Sequence, residues 1–249
     1  MNLVVLFTDF GLSGPYVGLM KLAIFRQAPA LPVIDLCHDA PAFDIQCSAY
    51  LLAAYAPEFP PGATFVAVVD PGVGGPRAPL ILRADDHWFV GPDNGLFDRV
   101  AARARQAEAW RITWRPQRLS ASFHGRDLFA PVAAMLAAGK AAPEMVGVAA
   151  PFAYQGWPDD LARIIYVDRY GNLMTGIRAG SLAVEAVVAI NGQRLRNART
   201  FSDAPLGQAF WYENSSGLVE LAVNQGSAAL NLGAGVGDAV TTLAHKPSN

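Results

Sequence analysis

The chain has 249 residues, of which 52% are hydrophobic and 16% charged, and its formal net charge is −2. This composition excludes a disordered protein, and without a Lys/Arg-rich run nothing points to a nucleic-acid partner. There is no apolar run of about 18 residues, so we expect no membrane association. The N-terminal apolar run lacks a basic flank and soon meets Asp9, which favours a cytoplasmic protein without a signal peptide.

The first part of the chain alternates apolar runs with helical patterns, which is typical of an α/β domain with a largely parallel sheet between helices. Predicted strands cover 3–7, 32–36, 64–69, 80–83, 87–90 and 109–113. Predicted helices cover 15–27, 44–55, 96–104 and 127–138, with Asp44 and Asp127 as expected N-caps.

The composition changes around 143–160 to Pro, Gly and aromatic residues without periodicity. We place a linker at 151–159, between a domain at 1–150 and a second domain at 160–249. In the second domain the apolar runs are short and strand-like, and the Asn191-Gly192 pair predicts a hairpin turn. The expected strands are 163–167, 186–190, 208–212, 218–223 and 239–243, with one short helix at 227–232. This part is predicted to be a small antiparallel β domain.

One loop of the first domain is built for a fixed shape. It runs from Asp70 to Arg77 and contains three glycines and two prolines. It follows an apolar run that predicts a buried strand, and open α/β sheets bind ligands at the carboxyl ends of their strands. We therefore expect Asp70 and Arg77 to face a ligand.

Other stretches share this design of polar residues among glycines and prolines. They are 8–11, 91–95, 123–127, 168–172 and 214–217. One such stretch alone is more often a simple turn, because Asp side chains cap turns and helices; six together favour a convergent site. His124 is the only histidine in such a setting, whereas Arg126 and Asp127 are assigned structural roles. His38 and His87 lack this context, and His245 lies near the chain end.

Common catalytic motifs are absent from the sequence. It contains no Gly-x-Ser-x-Gly elbow, Walker loop or Rossmann fingerprint. No His-x-x-x-His or similar pair has metal-ligand spacing, so we predict no metal site. Two alternatives stay open on these residues: a metal-dependent phosphoesterase using Asp9, Asp70, Asp93 and His124, and a binding protein without catalysis.

Taken in chain order, seven motifs resemble those of the S-adenosyl-L-methionine (SAM) hydroxide adenosyltransferases, hydrolases related to the fluorinase and chlorinase. These motifs are Thr-Asp-Phe-Gly at 8–11, Tyr-Val-Gly-x-Met-Lys at 16–21, Val-Asp-Pro-Gly-Val-Gly at 69–74 with Arg77, Gly-Pro-Asp-Asn-Gly at 91–95, Phe-His-Gly-Arg-Asp at 123–127, Asp-x-Tyr-Gly-Asn at 168–172 and Asn-Ser-x-Gly at 214–217. No single motif is specific, but the set spans nearly the whole chain in the family's order.

The resemblance implies an N-terminal α/β domain, a C-terminal β-barrel domain, and a homotrimer with SAM bound at subunit interfaces. It assigns the water-binding triad to Asp70, Arg77 and His124, and ribose binding to Asp9. The further substrate-binding residues it suggests are Phe43, Asp93, Asn94, Asp168, Tyr170, Asn172, Asn214 and Ser215. No cofactor is expected, since SAM is the substrate.

The implied reaction is attack of an activated water on C5′ of SAM, which gives adenosine and L-methionine. Either Asp70 or His124 could take the proton. Halogenase activity is not expected, because a carboxylate beside the nucleophile would repel a halide. Ser216 and Tyr170 depart from the family pattern, which has Phe at both positions, and we expect these changes to affect the adenine pocket and not the triad.

Overall fold

The computed structural model describes residues 2–243, which form two compact units. The first unit ends at Trp157 and the second begins at Pro158. His245 and the last residues of the predicted second domain lie outside the described range. Among residues 2–243, no helix is long and apolar enough to cross a membrane.

The first unit is built on a mixed seven-stranded sheet. Its strands lie in the order β2-β1-β3-β5-β4-β6-β7. They are β1 (Val4–Thr8), β2 (Val33–Cys37), β3 (Thr64–Val68), β4 (Pro79–Ala84), β5 (His87–Pro92), β6 (Ala107–Ile112) and β7 (Gly147–Ala150). The pairs β1–β2, β1–β3 and β3–β5 are parallel, and the other pairs are antiparallel. Only β4 and β7 therefore oppose the common direction, so the predicted α/β class with a largely parallel sheet is confirmed.

Helices cover both faces of this sheet. They are α1 (Tyr16–Gln27), α2 (Ile45–Tyr55), α3 (Asp98–Arg103), α4 (Ala130–Ala137) and α5 (Pro143–Val146). Helices α1 and α4 pack on the face that carries Val4, Leu6 and Val66. Strands β1 and β3 are buried at every position, as expected where both faces are covered. The core thus holds rigid the strand ends from which Asp9 and Asp70 emerge.

Two local predictions for this unit need correction. Residues 143–150, taken from their composition as the approach to a linker, form α5 and the edge strand β7, which pairs with β6. Asp127 is not an N-cap, because the helical turn already begins at Gly125 with His124 before it. Its carboxylate instead accepts a 2.8 Å hydrogen bond from the Ser120 backbone N–H and pairs with Arg126. Asp44 does cap α2, accepting a hydrogen bond from the Cys47 N–H at 2.9 Å.

The second unit contains two antiparallel sheets and a short helix. One sheet has the order β12-β13-β9-β8 and the other β11-β10-β14. The elements are β8 (Leu161–Val167), β9 (Leu173–Arg178), β10 (Val187–Ile190), β11 (Gln193–Leu195), β12 (Ala209–Glu213), β13 (Leu218–Val223), α6 (Ala228–Leu232) and β14 (Thr241–Leu243). The predicted hairpin at Asn191-Gly192 is confirmed between β10 and β11, with both turn residues at positive φ. The strand pairs fall into two sheets, so the structure establishes an antiparallel β unit, a coarser result than the predicted barrel.

Candidate active site

Asp70 and Arg77 form a bidentate ion pair at the carboxyl end of β3. Arg77 Nε donates to Asp70 Oδ1 and Oδ2 at 3.1 and 3.0 Å, and Arg77 Nη2 donates to Oδ2. The two side chains are only 4% and 10% exposed. A planar guanidinium held by a carboxylate through two parallel bonds has a fixed orientation. The loop therefore places both charges as one rigid group.

Gly74 allows this loop to touch the segment that leads to His124. Its φ is +79°, and a Cβ at this position would lie 2.7 Å from the backbone oxygen of Ala121. Both the backbone conformation and the lack of space require glycine. Close contact between the two segments brings His124 to the pair formed by Asp70 and Arg77.

His124 precedes a wide helical turn at Gly125–Phe129, and its Nδ1 lies 2.9 Å from Arg77 Nη2. Wide turns of this π type occur frequently at functional sites. Since a guanidinium only donates, His124 Nδ1 must accept, and in the neutral ring the proton is on Nε2. Burial, and next the charge of Arg77, lower the pKa of His124. His124 is therefore neutral near pH 7 and has one N–H available.

Phe129 supports this cluster from below. The ring is fully buried, the Arg77 guanidinium lies 5.4 Å from its centroid, and the His124 ring meets it edge-on at 6.3 Å. A cation over an aromatic face is favourable and excludes water from that side. The Arg77 guanidinium and the His124 ring are thus fixed from beneath by one aromatic side chain.

Asp70 and His124 line a cleft of about 680 Å³ together with Asp9 and Phe43. The structure thus brings four of the predicted site residues to one cavity, with Arg77 directly behind Asp70. Other lining residues had no site role assigned from the sequence: Phe10, Tyr16 and Phe123, whose rings pack together at centroid distances of 5.3–6.0 Å, and Ser120 and Ser122. The aromatic residues within three of the motifs are the signal that could have identified this apolar wall.

Asp9 follows β1, and its carboxylate is half-buried in the cleft. Burial raises its pKa, the hydrogen bond from the Phe43 N–H (3.4 Å) lowers it, and the nearby charge of Asp70 raises it further. The net direction is upward. Phe43 has φ +64° and is 76% exposed, an unusual combination for an aromatic residue. Its backbone thus serves Asp9 while its ring stands at the edge of the cleft.

Asp93 and Asn94 do not line this cleft. The Asn94 side chain donates to the Val69 carbonyl at 2.9 Å and accepts from the Leu96 N–H at 3.2 Å, so it holds the end of the strand that leads to Asp70. Asp93 is half-buried, which raises its pKa. Among residues 2–243, no group of three His, Cys, Asp or Glu side chains is arranged to hold a metal ion.

In the second unit, Asp168, Tyr170 and Asn172 line a separate cleft of about 630 Å³. The Asp168 carboxylate accepts from the backbone N–H groups of Tyr170 and Asn172 at 2.9 and 2.8 Å, and from the Asn172 amide at 3.0 Å. Tyr170 is 78% exposed, whereas Asn172 is 5% exposed. Asn172 Oδ1 is buried without a hydrogen-bond partner among the described residues. Such an acceptor is costly unless a ligand or water satisfies it.

Asn214 and Ser215 do not line this second cleft. Asn214 Oδ1 accepts from the Ser216 N–H, the Ser216 hydroxyl and the Leu218 N–H, at 2.9–3.0 Å, and its amide donates to Glu220 at 2.8 Å. The side chain of Asn214 therefore organises its own loop. Glu220, missed in the sequence, is 2% exposed and also accepts from the Tyr212 hydroxyl at 2.6 Å.

The fold and the site together define an enzyme-like protein, with a buried Asp–Arg–His cluster on the wall of a cleft at the carboxyl edge of an α/β sheet. The sequence matches the SAM hydroxide adenosyltransferase N-terminal domain over residues 4–147 and the corresponding C-terminal domain over residues 162–241. The chain belongs to the SAM hydroxide adenosyltransferase family.

Curated relatives agree with this assignment. Proteins named (R)-S-adenosyl-L-methionine hydrolase from Thermus thermophilus and Salinispora arenicola are 37% and 39% identical to this chain, over 94% and 95% of it and 96% of each relative. A fluorinase from Nocardia brasiliensis is more distant, at 24% identity over 94% of the chain and 95% of that protein. A solved structure from Thermotoga maritima, titled an uncharacterized conserved protein, superposes with a TM-score of 0.88 at 30% identity, covering 96% of this chain and 99% of that one.

Proposed function

We propose that this protein is an enzyme that hydrolyses SAM to adenosine and L-methionine. The observation that carries the proposal is the Asp70–Arg77–His124 cluster facing the cleft, in a chain of the SAM hydroxide adenosyltransferase family. The cluster has the groups needed to hold a water molecule, and a sulfonium carbon is an electrophile that needs little more than an oriented nucleophile.

In this mechanism the water donates one hydrogen bond to Asp70 and accepts one from His124 Nε2–H. This leaves a lone pair of the water directed at C5′ of SAM. As the C5′–O bond forms, the C5′–S bond breaks and its electron pair stays on the methionine sulfur. The proton passes to the Asp70 carboxylate, since His124 Nδ1 already accepts from Arg77 and its Nε2 already carries hydrogen. Arg77 holds Asp70 in place and stabilises hydroxide character on the oxygen.

The reaction needs no acid for the leaving group, because the thioether departs as a neutral molecule. We propose that neither metal nor organic cofactor takes part. The contribution of the protein is then alignment of water with the C5′–S bond, together with exclusion of other water. The aromatic wall of Phe10, Tyr16 and Phe123 supports such a dry cavity. The two cleft-facing acids, Asp9 and Asp70, also suit a cationic substrate.

We propose that Asp9 accepts hydrogen bonds from both ribose hydroxyls and that Phe43 packs on the nucleoside. The candidates for the methionine and adenine ends are Asp168, Tyr170, Asn172, Asn214 and Ser215 in the second unit, with Asp93 and Asn94 as further candidates in the first. The unpartnered Asn172 Oδ1 supports a ligand contact by that residue. The internal bonds of Asn214 and Asn94 support indirect roles for both, as holders of the loops that carry the site.

A halide is a poor fit to the proposed nucleophile position. The Asp70 carboxylate lines the cleft there and would repel an anion, whereas water can donate a hydrogen bond to it. This favours hydrolysis over the halogenation suggested by the distant likeness to fluorinases.

The domain organisation predicted from sequence extends this proposal. We propose an α/β domain at 1–150, a linker at 151–159, and a β-barrel domain at 160–249. Two backbone hydrogen bonds that join segments of the two sheets support the barrel. They run from the Val240 N–H to the Ala162 carbonyl and from the Trp211 N–H to the Arg196 carbonyl, both at 3.0 Å. We also propose a cytoplasmic homotrimer with SAM sites at its subunit interfaces. Analytical ultracentrifugation tests the trimeric state.

The direct test is incubation of purified protein with SAM and separation of the products by chromatography. We expect adenosine and L-methionine in equal amounts, at a rate that a chelator does not change. In Asp70→Asn, loss of the proton acceptor should lower kcat about a hundredfold to ten-thousandfold. Arg83→Ala, at an exposed side chain remote from the cluster, serves as the control.

The rival functions give different results in the same assay. Loss of activity with a chelator, restored by a divalent metal, would favour a metal-dependent phosphoesterase-type mechanism. SAM that binds and is recovered unchanged would favour a binding protein without catalysis. Either result would refute the proposal.

A further inference from the structure

His38 is a buried histidine that the sequence context did not single out. It follows β2 and is 4% exposed. Its Nδ1 lies 2.8 Å from Thr8 Oγ1, and its Nε2 lies 3.0 Å from Asp35 Oδ1. The other oxygen of Asp35 accepts from Lys21 Nζ at 2.5 Å. A hydrogen-bonded chain thus runs inward from the surface at Lys21 to Thr8, the residue before Asp9.

The direction of each bond in this chain follows from its donors and acceptors. Burial opposes ionisation of Asp35, but the hydrogen bonds from Lys21 and His38 outweigh it, so the pKa of Asp35 is lowered. An ionised carboxylate only accepts, so His38 Nε2 carries the hydrogen. In the neutral ring, Nδ1 then accepts from the Thr8 hydroxyl. The oxygen of that hydroxyl accepts from the Phe10 N–H at 3.4 Å.

The backbone reinforces this connection on both sides of Asp9. The Gly11 N–H donates to the His38 carbonyl at 2.6 Å, and the Ala40 N–H donates to the Thr8 carbonyl at 3.1 Å. Thr8 is fully buried, so its hydroxyl has no access to the cleft and serves no nucleophilic role. What the network fixes is the backbone on either side of Asp9, and with it the direction in which the carboxylate leaves the strand.

We propose that His38, held by Asp35 and Lys21, is a positioning residue that orients the Asp9 carboxylate for simultaneous contact with both ribose hydroxyls. This inference rests on the ribose-binding role of Asp9 in the proposed function. Two hydroxyls on adjacent carbons need both carboxylate oxygens in one plane, so a small rotation of Asp9 loses one contact. Residues that hold the groups around a site by hydrogen bonds fix its geometry in this way, as they do for metal ligands and other preorganised sites.

The chain offers a matched pair of variants, because the Asn amide overlaps the Nδ1 position of histidine and the Gln amide overlaps Nε2. His38→Asn therefore keeps a partner for Thr8 and loses Asp35. His38→Gln keeps a partner for Asp35 and loses Thr8. His87→Gln is the control, since His87 Nε2 donates to the Phe59 carbonyl at 3.0 Å and the residue does not line the cleft.

The readout is the affinity for adenosine relative to 2′,3′-dideoxyadenosine, which lacks both ribose hydroxyls, measured by titration calorimetry. We expect wild type to prefer adenosine by on the order of a hundredfold, since hydrogen bonds to a charged group are the strong ones. Asp9→Asn should remove most of this preference. His38→Gln should lower it about tenfold and leave dideoxyadenosine affinity unchanged, whereas His38→Asn should retain more of it.

A purely structural role of His38 gives a different pattern. Equal losses for both nucleosides, or an unchanged preference in His38→Gln, would overturn the proposal. Should that variant fail to fold, Asp35→Ala, at a side chain 38% exposed, provides the same test and should lower the preference severalfold. The affinity measurements require no turnover. A wild-type protein that forms no adenosine from SAM would therefore refute the proposed function without deciding the role of His38. A wild type without any preference for adenosine would refute the role of Asp9, and the positioning role with it.

Discussion

At the scale of single residues, the hydrogen bond between Arg77 Nη2 and His124 Nδ1 determines what His124 can do. Arginine cannot accept, so the neutral ring presents Nε2–H and has no free lone pair. The lowered pKa of His124 makes protonation at Nδ1 costly as well. In the proposed mechanism His124 is therefore the hydrogen-bond donor to water and Asp70 the proton acceptor, whereas the sequence left both residues open as the base.

Replacement of His124 by Gln and by Ala distinguishes a donor from a base. The Gln amide overlaps Nε2 and keeps an N–H, so we expect His124→Gln to retain about tenfold more kcat/KM than His124→Ala, in line with the value of one oriented donor. The His87→Gln variant controls for loss of a half-buried histidine. Equal losses in both variants, of a hundredfold or more, would instead indicate general-base catalysis by His124.

The pH profile gives an independent check on this assignment. Protonation of His124 would place a second N–H against the Arg77 guanidinium and break the cluster. Since the pKa is lowered from 6.5, activity should be constant above pH 6.5 and decline only at more acidic values. His124→Gln should lack the part of the decline that this ring causes.

Glu220 is a buried carboxyl whose pKa is raised by burial, despite hydrogen bonds from Tyr212 and Asn214 that lower it. An acid with a raised folded-state pKa stabilises the fold below its unfolded value of 4.5, and this contribution is lost as pH rises through the folded value. Glu220→Gln stays neutral and can bond the same two partners. We expect the free energy of unfolding of Glu220→Gln, relative to wild type, to increase as the pH rises above 4.5, because only the wild-type protein must then ionise a buried carboxyl.

Urea unfolding at several pH values measures this difference. The exposed Glu213 on the neighbouring strand provides the control variant, Glu213→Gln, which should show no such trend. A constant difference between wild type and Glu220→Gln across this pH range would contradict the account of Glu220.

At the scale of elements, the site depends on two loops that meet without side chains between them. Gly74→Ala would combine a disfavoured positive φ with a Cβ only 2.7 Å from the Ala121 carbonyl oxygen. We expect the loops to separate by a few tenths of an ångström or more, so that His124 loses its bond to Arg77 and kcat falls at least tenfold. A Cβ at Gly18, on α1, meets nothing within 4 Å, so Gly18→Ala should leave activity unchanged. Full activity in Gly74→Ala would show that the close contact is not required.

The sequence predicted most elements of the first unit, because continuous apolar runs and caps such as Asp44 are local signals. The prediction failed for segments whose structure depends on contacts with residues distant in the sequence. Strand β9 (Leu173–Arg178) was missed because it contains Gly176 and directly follows a turn motif. The edge strand β7 (Gly147–Ala150) is too short to show a period. The wide turn at Gly125–Phe129 has no recognised local signal, which is why the cap was misplaced at Asp127.

At the scale of the whole molecule, polar motifs near a buried strand or helix start indicated Asp70 with Arg77, and His124 separately, and the family resemblance grouped the three. Their mutual contacts, and the common cleft with Asp9 and Phe43, required the structure. His38 and Glu220 could not be identified from sequence, since their partners, such as Thr8 and Asn214, are set by strand register and by loop geometry. Sequence motifs indicate groups that face a ligand, whereas the buried residues behind them depend on packing.

The central claim, that a water held by the Asp–Arg–His cluster attacks C5′, is tested most directly by hydrolysis in ¹⁸O-labelled water. The account predicts one ¹⁸O atom in the 5′-hydroxyl of each adenosine and none in methionine, by mass spectrometry. Asp70→Asn should give the same labelled product far more slowly. Adenosine without the label, or methylthioadenosine with labelled homoserine, would contradict attack of water at C5′.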